Sequence, residues 1–437
     1  MAASRAASPA RRRAVATLSE FFSGDRRPLF LQDGTANLSE LERDFTRELV
    51  LGVLRHRARL DNEIASVSRF PLERLQKPMR EILEVGLFQI RFLDRIPVRA
   101  AVHETVEMAR ALSGEGASRL ANGVLRSLLR DPPAPSPEED PAGLAAAQSH
   151  PEFLVRRWID RFGMARARAI LSADNVRSRM ALLCEPGHGT REEIGSRLRE
   201  ERVESEPSAI SRLGLTALSG NPLRTRVFEE GGFYVADAGS QVLPELLPPG
   251  DLLADLAAAP GGKTAAALFS RRFSKVLSFD RSVPRLQLLR QNRRRLSLEG
   301  AMIASADVAA LPLRQGSLAR VLLDAPCSGS GTLRKNPEIR YRITPESILR
   351  LGQAQGSMLE AASDAVAPGG YLLYSTCSLE SEENEDVVAR LLASRGDFRP
   401  APIDAPPELA PFVDGSRFRI FPDQGSDGFT AHLLSRR

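Results

Sequence analysis

The chain has 437 residues, 42% hydrophobic and 26% charged, with 60 Lys and Arg against 55 Asp and Glu, for a net charge of +5. That is the make-up of a soluble globular protein of two or three domains. It excludes a membrane-spanning segment, and Met1 to Arg13, with no apolar stretch behind its arginines, reads as a frayed tail and not a secretory signal. Three scattered cysteines, Cys184, Cys327 and Cys377, without a CxxC or HExxH motif, argue against a disulfide framework or a zinc site and fit a reducing cytoplasm, while the mild basic excess permits a polyanionic partner.

In residues 10–130, apolar positions recur at helical spacing in the stretches 41–54, 79–92, 102–112 and 120–129, which predicts an all-α bundle as a first domain over residues 1–131. Asp131-Pro132-Pro133-Ala134-Pro135-Ser136-Pro137 ends the last helix, and residues 132–149 read as a Pro-rich linker. Residues 150–226 open with an amphipathic helix carrying Trp158 and continue as a small mixed α/β domain. From residue 227 to the end, strand-like runs (252–256, 276–279, 319–323, 371–374) alternate with helical ones (264–269, 284–296, 345–366, 382–392). This is the pattern of a doubly wound, Rossmann-like α/β domain, and the runs 418–421 and 429–434 predict an antiparallel hairpin at its sheet edge.

Asp255-Leu256-Ala257-Ala258-Ala259-Pro260-Gly261-Gly262-Lys263-Thr264 joins the first strand of that domain to its first helix. Ligands sit at such turns because small residues admit close approach and the helix start offers free N–H groups. Gly262-Lys263-Thr264 also matches the end of a phosphate-binding loop, with Val321-Leu322-Leu323-Asp324 as its magnesium motif, but that loop needs Gly where Ala257 stands. A plain structural turn is a third reading. Asp280 closes the next strand, where an acid grips ribose hydroxyls, and Asp307 follows the third strand, placed to face an adenine amino group.

Asp324-Ala325-Pro326-Cys327-Ser328 ends the fourth strand and Tyr374-Ser375-Thr376-Cys377-Ser378 the fifth, so both thiols are expected at neighbouring carboxyl ends beside the cofactor, whereas Cys184 reads as buried filler. In the RNA cytosine-carbon-5 methyltransferases, which the turn Ala257 to Thr264 resembles, a thiolate adding to carbon 6 of cytosine turns carbon 5 into an enamine carbon that accepts a methyl group, and such a thiolate calls for a lowered thiol pKa. Asp324 suits a proton held at N3, and Lys263 suits either the base or a cofactor carboxylate.

The segment AAAPGGKT resembles the cofactor motif of the Sun/Nop-type RNA cytosine-carbon-5 methyltransferases, which usually reads CAAPGGKT. The resemblance implies that Ala257, Ala258, Ala259, Pro260, Gly261, Gly262 and Lys263 wrap S-adenosyl-L-methionine, together with Asp280, Arg285, Asp307 and Asp324. It makes Cys377, in the Thr-Cys turn, the nucleophile and gives Cys327, in the Pro-Cys turn, a part in product release. It also turns the run Thr332 to Arg340, with Arg334, Lys335 and Arg340, toward RNA phosphates. The first domain resembles the NusB fold, an RNA-binding bundle, through Arg95-Ile96-Pro97-Val98-Arg99-Ala100-Ala101-Val102-His103-Glu104 and Ala121-Asn122-Gly123-Val124-Leu125-Arg126. That fusion is similar to the bacterial Fmu/Sun type. It implies a cytoplasmic, metal-free, monomeric enzyme that methylates a cytosine of ribosomal RNA, of the small (16S) subunit. The same chemistry on transfer RNA or large-subunit RNA, a nucleotide hydrolase, and a non-catalytic RNA-binding assembly factor stay open. Departures from the family pattern are Ala236 for Gln, Thr430 for Phe, and a weak match at residues 179–185.

Overall fold

The computed structural model describes residues 8–24, 37–134 and 137–437. The chain folds into two compact units, Met1–Val176 with Leu333–Arg342, and Arg177–Thr332 with Ile343–Arg437. Among the described residues, no helix is long and apolar enough to cross a membrane.

The first unit is helical: α1 (Pro9–Phe22), α2 (Glu40–Val67), α3 (Met79–Phe92), α4 (Val98–Arg130), α5 (Pro141–Gln148) and α6 (Glu152–Asp174). The start of α2 is set by a capping box in which Ser39 and Glu42 satisfy each other's backbone N–H groups. Leu49, Val53, Leu60 and Ile64 then line one face of α2 and meet Ile82, Leu83 and Phe88 of α3 in the core. Runs 102–112 and 120–129 are one helix, kinked at Gly114. Three expectations need correction. Pro9 to Arg13 begin α1 and are not a frayed tail, because Pro9 suits the first helical turn and Ala10 and Ala14 are buried; residues 1–7 lie outside the described residues. The linker 132–149 contains α5, started by the Asp140 side chain accepting from Gly143 N–H at 2.7 Å; Pro135 and Ser136 are outside the described residues. Arg340 does not face a phosphate. It is 3% exposed, and its guanidinium donates to the carbonyls of Arg55, Ser149 and Asp174 and to Asn175 Oδ1 at 2.6–3.1 Å, while Tyr341 Oη donates to Leu54 O at 2.6 Å.

The second unit holds two sheets. In the smaller, β1 (Ala181–Cys184), β2 (Ser205–Pro207), β3 (Gly214–Ala217) and β4 (Phe233–Val235) lie antiparallel in the order β2-β3-β1-β4, with α7 (Arg191–Glu200) and α8 (Arg226–Glu229) between strands. The sheet therefore takes its last strand from beyond residue 226. Cys184 is 1% exposed, within its core, as expected of filler.

After α9 (Ala238–Val242), the larger sheet contains β5 (Leu252–Asp255), β6 (Lys275–Asp280), β7 (Ala301–Ser305), β8 (Leu318–Asp324) and β9 (Val366–Thr376). The helices α10 (Gly262–Phe269), α11 (Val283–Arg295) and α12 (Pro345–Ala365) alternate with them. Helix α13 (Glu385–Ser394) leads to β10 (Phe398–Pro400), β11 (Val413–Asp414), β12 (Arg417–Ile420) and β13 (Phe429–Arg436). The order is β11-β12-β13-β9-β8-β5-β6-β7, with β10 also on β13; the strands β5 to β9 run parallel. Strands β12 and β13 form the expected hairpin, but β13 is interior, since it pairs antiparallel with β9 over six residues. Apolar strand residues such as Leu253, Val321, Leu322 and Leu372 are wholly buried, as strands covered by helices on both faces require.

Candidate active site

The reversal of strand order falls between β5 and β8, and the carboxyl ends of these neighbours are where a doubly wound sheet opens a crevice. The turn after β5 is built from small residues for steric reasons. Gly261 caps α10 at φ 113°, in the left-handed region, and a Cβ there would lie 2.5 Å from Leu289. Ala258 and Ala259 are buried, and the loop is tied to the next strand end: Asp280 accepts from Ala259 N–H at 3.2 Å and from Ser282 N–H at 2.8 Å, while Arg285 donates to Ala259 O. Asp280 is thus buried and organises the loop. Asp307, exposed at the end of β7, accepts from Ala309 N–H at 3.0 Å and caps a short turn.

Lys263 and Thr264 point to different partners. The Lys263 ammonium lies 2.6 Å from Asp324 Oδ2, across from β8, and this carboxylate holds its pKa up against the opposing effect of burial. Ser375 donates to the other oxygen, Asp324 Oδ1, at 2.8 Å. Thr264 is fully buried, and its hydroxyl donates to Asp255 Oδ2 at 3.0 Å and lies 3.0 Å from Ser278 Oγ. A phosphate-binding loop would need that hydroxyl free for magnesium and that lysine free for phosphates, so the nucleotide-hydrolase reading fails here. Asp255 itself is a group that sequence reasoning passed over: burial pushes its carboxyl pKa up to about 7, opposed by nearby Lys263. Its only sequence signal is an acid at a strand end preceding a Gly-rich turn.

Strands β8 and β9 pair in parallel with Asp324 opposite Ser375, so the two turns that follow leave the sheet side by side. Cys327 Sγ and Cys377 Sγ lie 3.1 Å apart, both partly exposed. The turns are pressed together by backbone contacts that only glycine allows: Gly331 N–H donates to Cys377 O at 3.0 Å, Gly428 N–H donates to Gly331 O at 2.7 Å, and a Cβ on Gly331 would lie 2.4 Å from Gly428 O. The thiol pKa of Cys327 is raised well above its ordinary value, first by its hydrogen bond to Cys377, then by burial, then by the charges around it. The lowering expected of a nucleophile is therefore the reverse of what Cys327 shows. Either sulfur can donate to the other across this contact. Thr430, where the family usually has Phe, is fully buried, and its hydroxyl reaches Ser378 O at 3.3 Å, so the substitution adds a polar tie to the Cys377 turn. Among the described residues, no group of three or more His, Cys, Asp or Glu is placed to hold a metal ion.

Residues 246–435 match the family described as 16S rRNA methyltransferase RsmB/F, residues 8–130 the NusB family, and residues 150–223 the RsmF/B-like ferredoxin-like domain. The chain is 32% identical over 403 residues to the probable ribosomal RNA small subunit methyltransferase B of Bacillus subtilis, covering 90% of each. It is 32% identical over 398 residues to ribosomal RNA small subunit methyltransferase B of Vibrio cholerae, covering 90% of this chain and 89% of that one. Among solved structures, PH0851 aligns over 98% of this chain and 99% of its own with a TM-score of 0.76 at 24% identity. A methyltransferase homolog protein from Pyrococcus horikoshii aligns over 67% and 97%, at 27% identity and a TM-score of 0.56.

Proposed function

Since the chain belongs to the family of the ribosomal RNA small subunit methyltransferases B, we propose that it methylates carbon 5 of a cytosine in small-subunit ribosomal RNA with S-adenosyl-L-methionine, through a covalent bond from Cys377 to carbon 6 of the base. The observation that carries this reading is the 3.1 Å pair of sulfurs beside the Lys263–Asp324 ion pair, at the carboxyl ends of adjacent parallel strands.

The residues present fit the cofactor. The loop 257–262 offers backbone without bulky side chains, and Asp280 and Asp307 follow adjacent parallel strands, a placement suited to ribose hydroxyls and an adenine amino group. Arg285 braces the same loop. When bound, the sulfonium supplies an electrophilic methyl group. The chain's own residues do the rest. Cys377, as its thiolate, adds to carbon 6, and the electron pair gathers on carbon 5 and N3. Asp324, anchored by Lys263 and Ser375, holds the proton that N3 takes up and keeps the adduct from being a bare anion in a dry site. After carbon 5 has taken the methyl group, its proton leaves and the carbon–sulfur bond breaks, restoring the aromatic ring. Cys327, 3.1 Å from Cys377, is placed to take the carbon-5 proton once its own proton has passed to solvent, and the electron pair of the broken carbon–hydrogen bond expels Cys377 as a thiolate.

The test is a trap. With RNA carrying 5-fluorocytosine, the wild type should form an adduct that survives denaturing electrophoresis, and Cys377→Ala should form none. With ordinary RNA, Cys327→Ala should accumulate a methylated adduct. A reversed pattern, adduct lost with Cys327→Ala and kept with Cys377→Ala, would exchange the two roles; no adduct from the wild type would end the covalent reading.

A further inference from the structure

Both cysteines are followed by a serine, Ser328 and Ser378, and both serines converge on one buried carboxylate that the chemistry above does not use. Glu383 is fully buried, in the segment just before α13. Its Oε1 accepts from Ser328 N–H at 2.8 Å and from Gln355 Nε2 of α12 at 3.1 Å; its Oε2 accepts from Ser328 Oγ and Ser378 Oγ, both at 2.5 Å. A carboxylate without water around it is expensive, and four donors are what make the burial tolerable. Its own main chain closes the same knot: Glu383 O accepts from Tyr374 Oη at 2.6 Å. The next residue, Asn384, accepts from Thr376 Oγ1 at 2.7 Å and donates to Ser378 O at 3.0 Å. Ser330 Oγ, 3.2 Å from Ser378 Oγ, accepts from Leu379 N–H at 2.9 Å. The two cysteine turns thus share no covalent link, yet each has its first residue after the thiol bonded to the same carboxyl group.

We propose that Glu383 is the positioning residue of the reaction, a carboxylate clamp that fastens the Cys327 turn to the Cys377 turn and thereby sets the separation of the two thiols. The proposal rests on the reading that these thiols share one catalytic cycle. That cycle needs one sulfur bonded to carbon 6 and the other within reach of the proton on carbon 5, and a loss of register of about 1 Å in such a site is costly. The carboxylate has a second effect in the same direction. Its negative charge is one of the causes that hold the Cys327 proton in place, so it separates a thiol partner from a nucleophilic one.

Three substitutions in the full-length protein separate reach from charge. Glu383→Ala removes the clamp, Glu383→Asp keeps the charge but withdraws it by one methylene, and Glu383→Gln keeps the reach and removes the charge, since the serine hydroxyls can turn to accept from its amide. The readout of geometry is the rate at which diamide, a thiol oxidant, joins Cys327 to Cys377, followed by peptide mass spectrometry. It needs neither RNA nor turnover. The Ala and Asp variants should cross-link at least tenfold more slowly than the wild type with cofactor affinity retained, and their turnover should fall at least tenfold. The Gln variant should cross-link within threefold of the wild type. Its kcat should drop with KM unchanged, and the alkaline limb of its pH profile should move to lower pH, because Cys327 loses its proton more readily. If Ala fails to fold, Asp decides. Cross-linking at the wild-type rate in the folded Ala or Asp variant overturns the clamp, as does a Gln variant with unaltered kcat and pH profile. A wild type that cross-links rapidly but forms no adduct with 5-fluorocytosine RNA sinks the covalent mechanism and leaves the clamp standing.

Discussion

Asp255 shows how one buried atom group can report on the whole site. Its carboxyl pKa, raised from 3.8 to about 7 by burial, sits above the unfolded value, so the stability it contributes is complete below pH 3.8 and is lost as pH rises through 7. Ionisation there opposes folding, and Lys263 offsets only part of it because that lysine is already committed to Asp324. Asp255→Asn should therefore stabilise the second unit relative to wild type at pH 8, by on the order of a few kcal/mol, with the advantage shrinking toward pH 5. Urea titrations at the two pH values measure this. A gap between variant and wild type that is the same at both would show that Asp255 does not titrate. At this scale the sequence was legible where chemistry is written in short motifs. Cys327, Cys377, Asp324 and Lys263 come together as the motifs implied. Asp255 and Glu383 were not legible, because what distinguishes them is burial and convergence of partners from segments as far apart as residues 328, 355 and 378.

At the scale of elements, periodicity located the helix Met79–Phe92 to the residue and found four of the five parallel strands to within about five positions, because apolar runs bounded by Gly and Pro leave few alternatives; Ala301–Ser305, largely exposed, gave no apolar run of its own. The run from Thr332 to Arg340 misled for an instructive reason. A string of cations looks solvated in sequence, and nothing local reveals that three backbone carbonyls, from α2, the C-cap of α5 and the last residue of α6, wait for Arg340. Burial pushes that guanidinium down to about 10, so it remains a cation at neutral pH, bonded to neutral acceptors. Arg340→Met should destabilise the helical unit by about 3 kcal/mol, since the abandoned carbonyls stay buried. Arg340→Lys should recover little, because an ammonium lacks the planar fork that serves several acceptors at once. Denaturant melts followed by helical circular dichroism test both. An Arg340→Met protein of unchanged stability but weakened RNA affinity would return the residue to the phosphate-contact role.

At the scale of the whole molecule, the helical unit is made from two distant stretches of chain, and this changes what counts as a foldable piece. A Pro-rich stretch after Arg130 suggests that residues 1–130 stand alone, and they match the NusB family by themselves. The fold adds α5 and α6 to them, and then Leu333–Arg342. That last segment brings Tyr341, whose ring meets Phe21 and Phe22 edge-on at 6.1 and 5.3 Å between centroids and whose hydroxyl satisfies Leu54 O, together with the Arg340 bonds to Ser149, Asp174 and Asn175. A fragment ending at residue 130 keeps Phe21, Phe22 and Leu54 but lacks Ser149, Asp174 and Asn175 as well as the returning segment; one ending at residue 176 retains all of these acceptors but not the segment that fills them. The expected order of Tm is therefore residues 1–130 lowest, residues 1–176 higher, and residues 1–176 with a peptide of residues 333–342 added in trans highest. The last increment should grow with peptide concentration, as for any ligand that binds only the folded state. The same peptide with Arg340→Met and Tyr341→Ala should give no increment. Equal Tm values for the two fragments, or a wild-type peptide without effect at millimolar concentration, would show that the bundle is complete at residue 130 and that the returning segment is held by the bundle without supporting it.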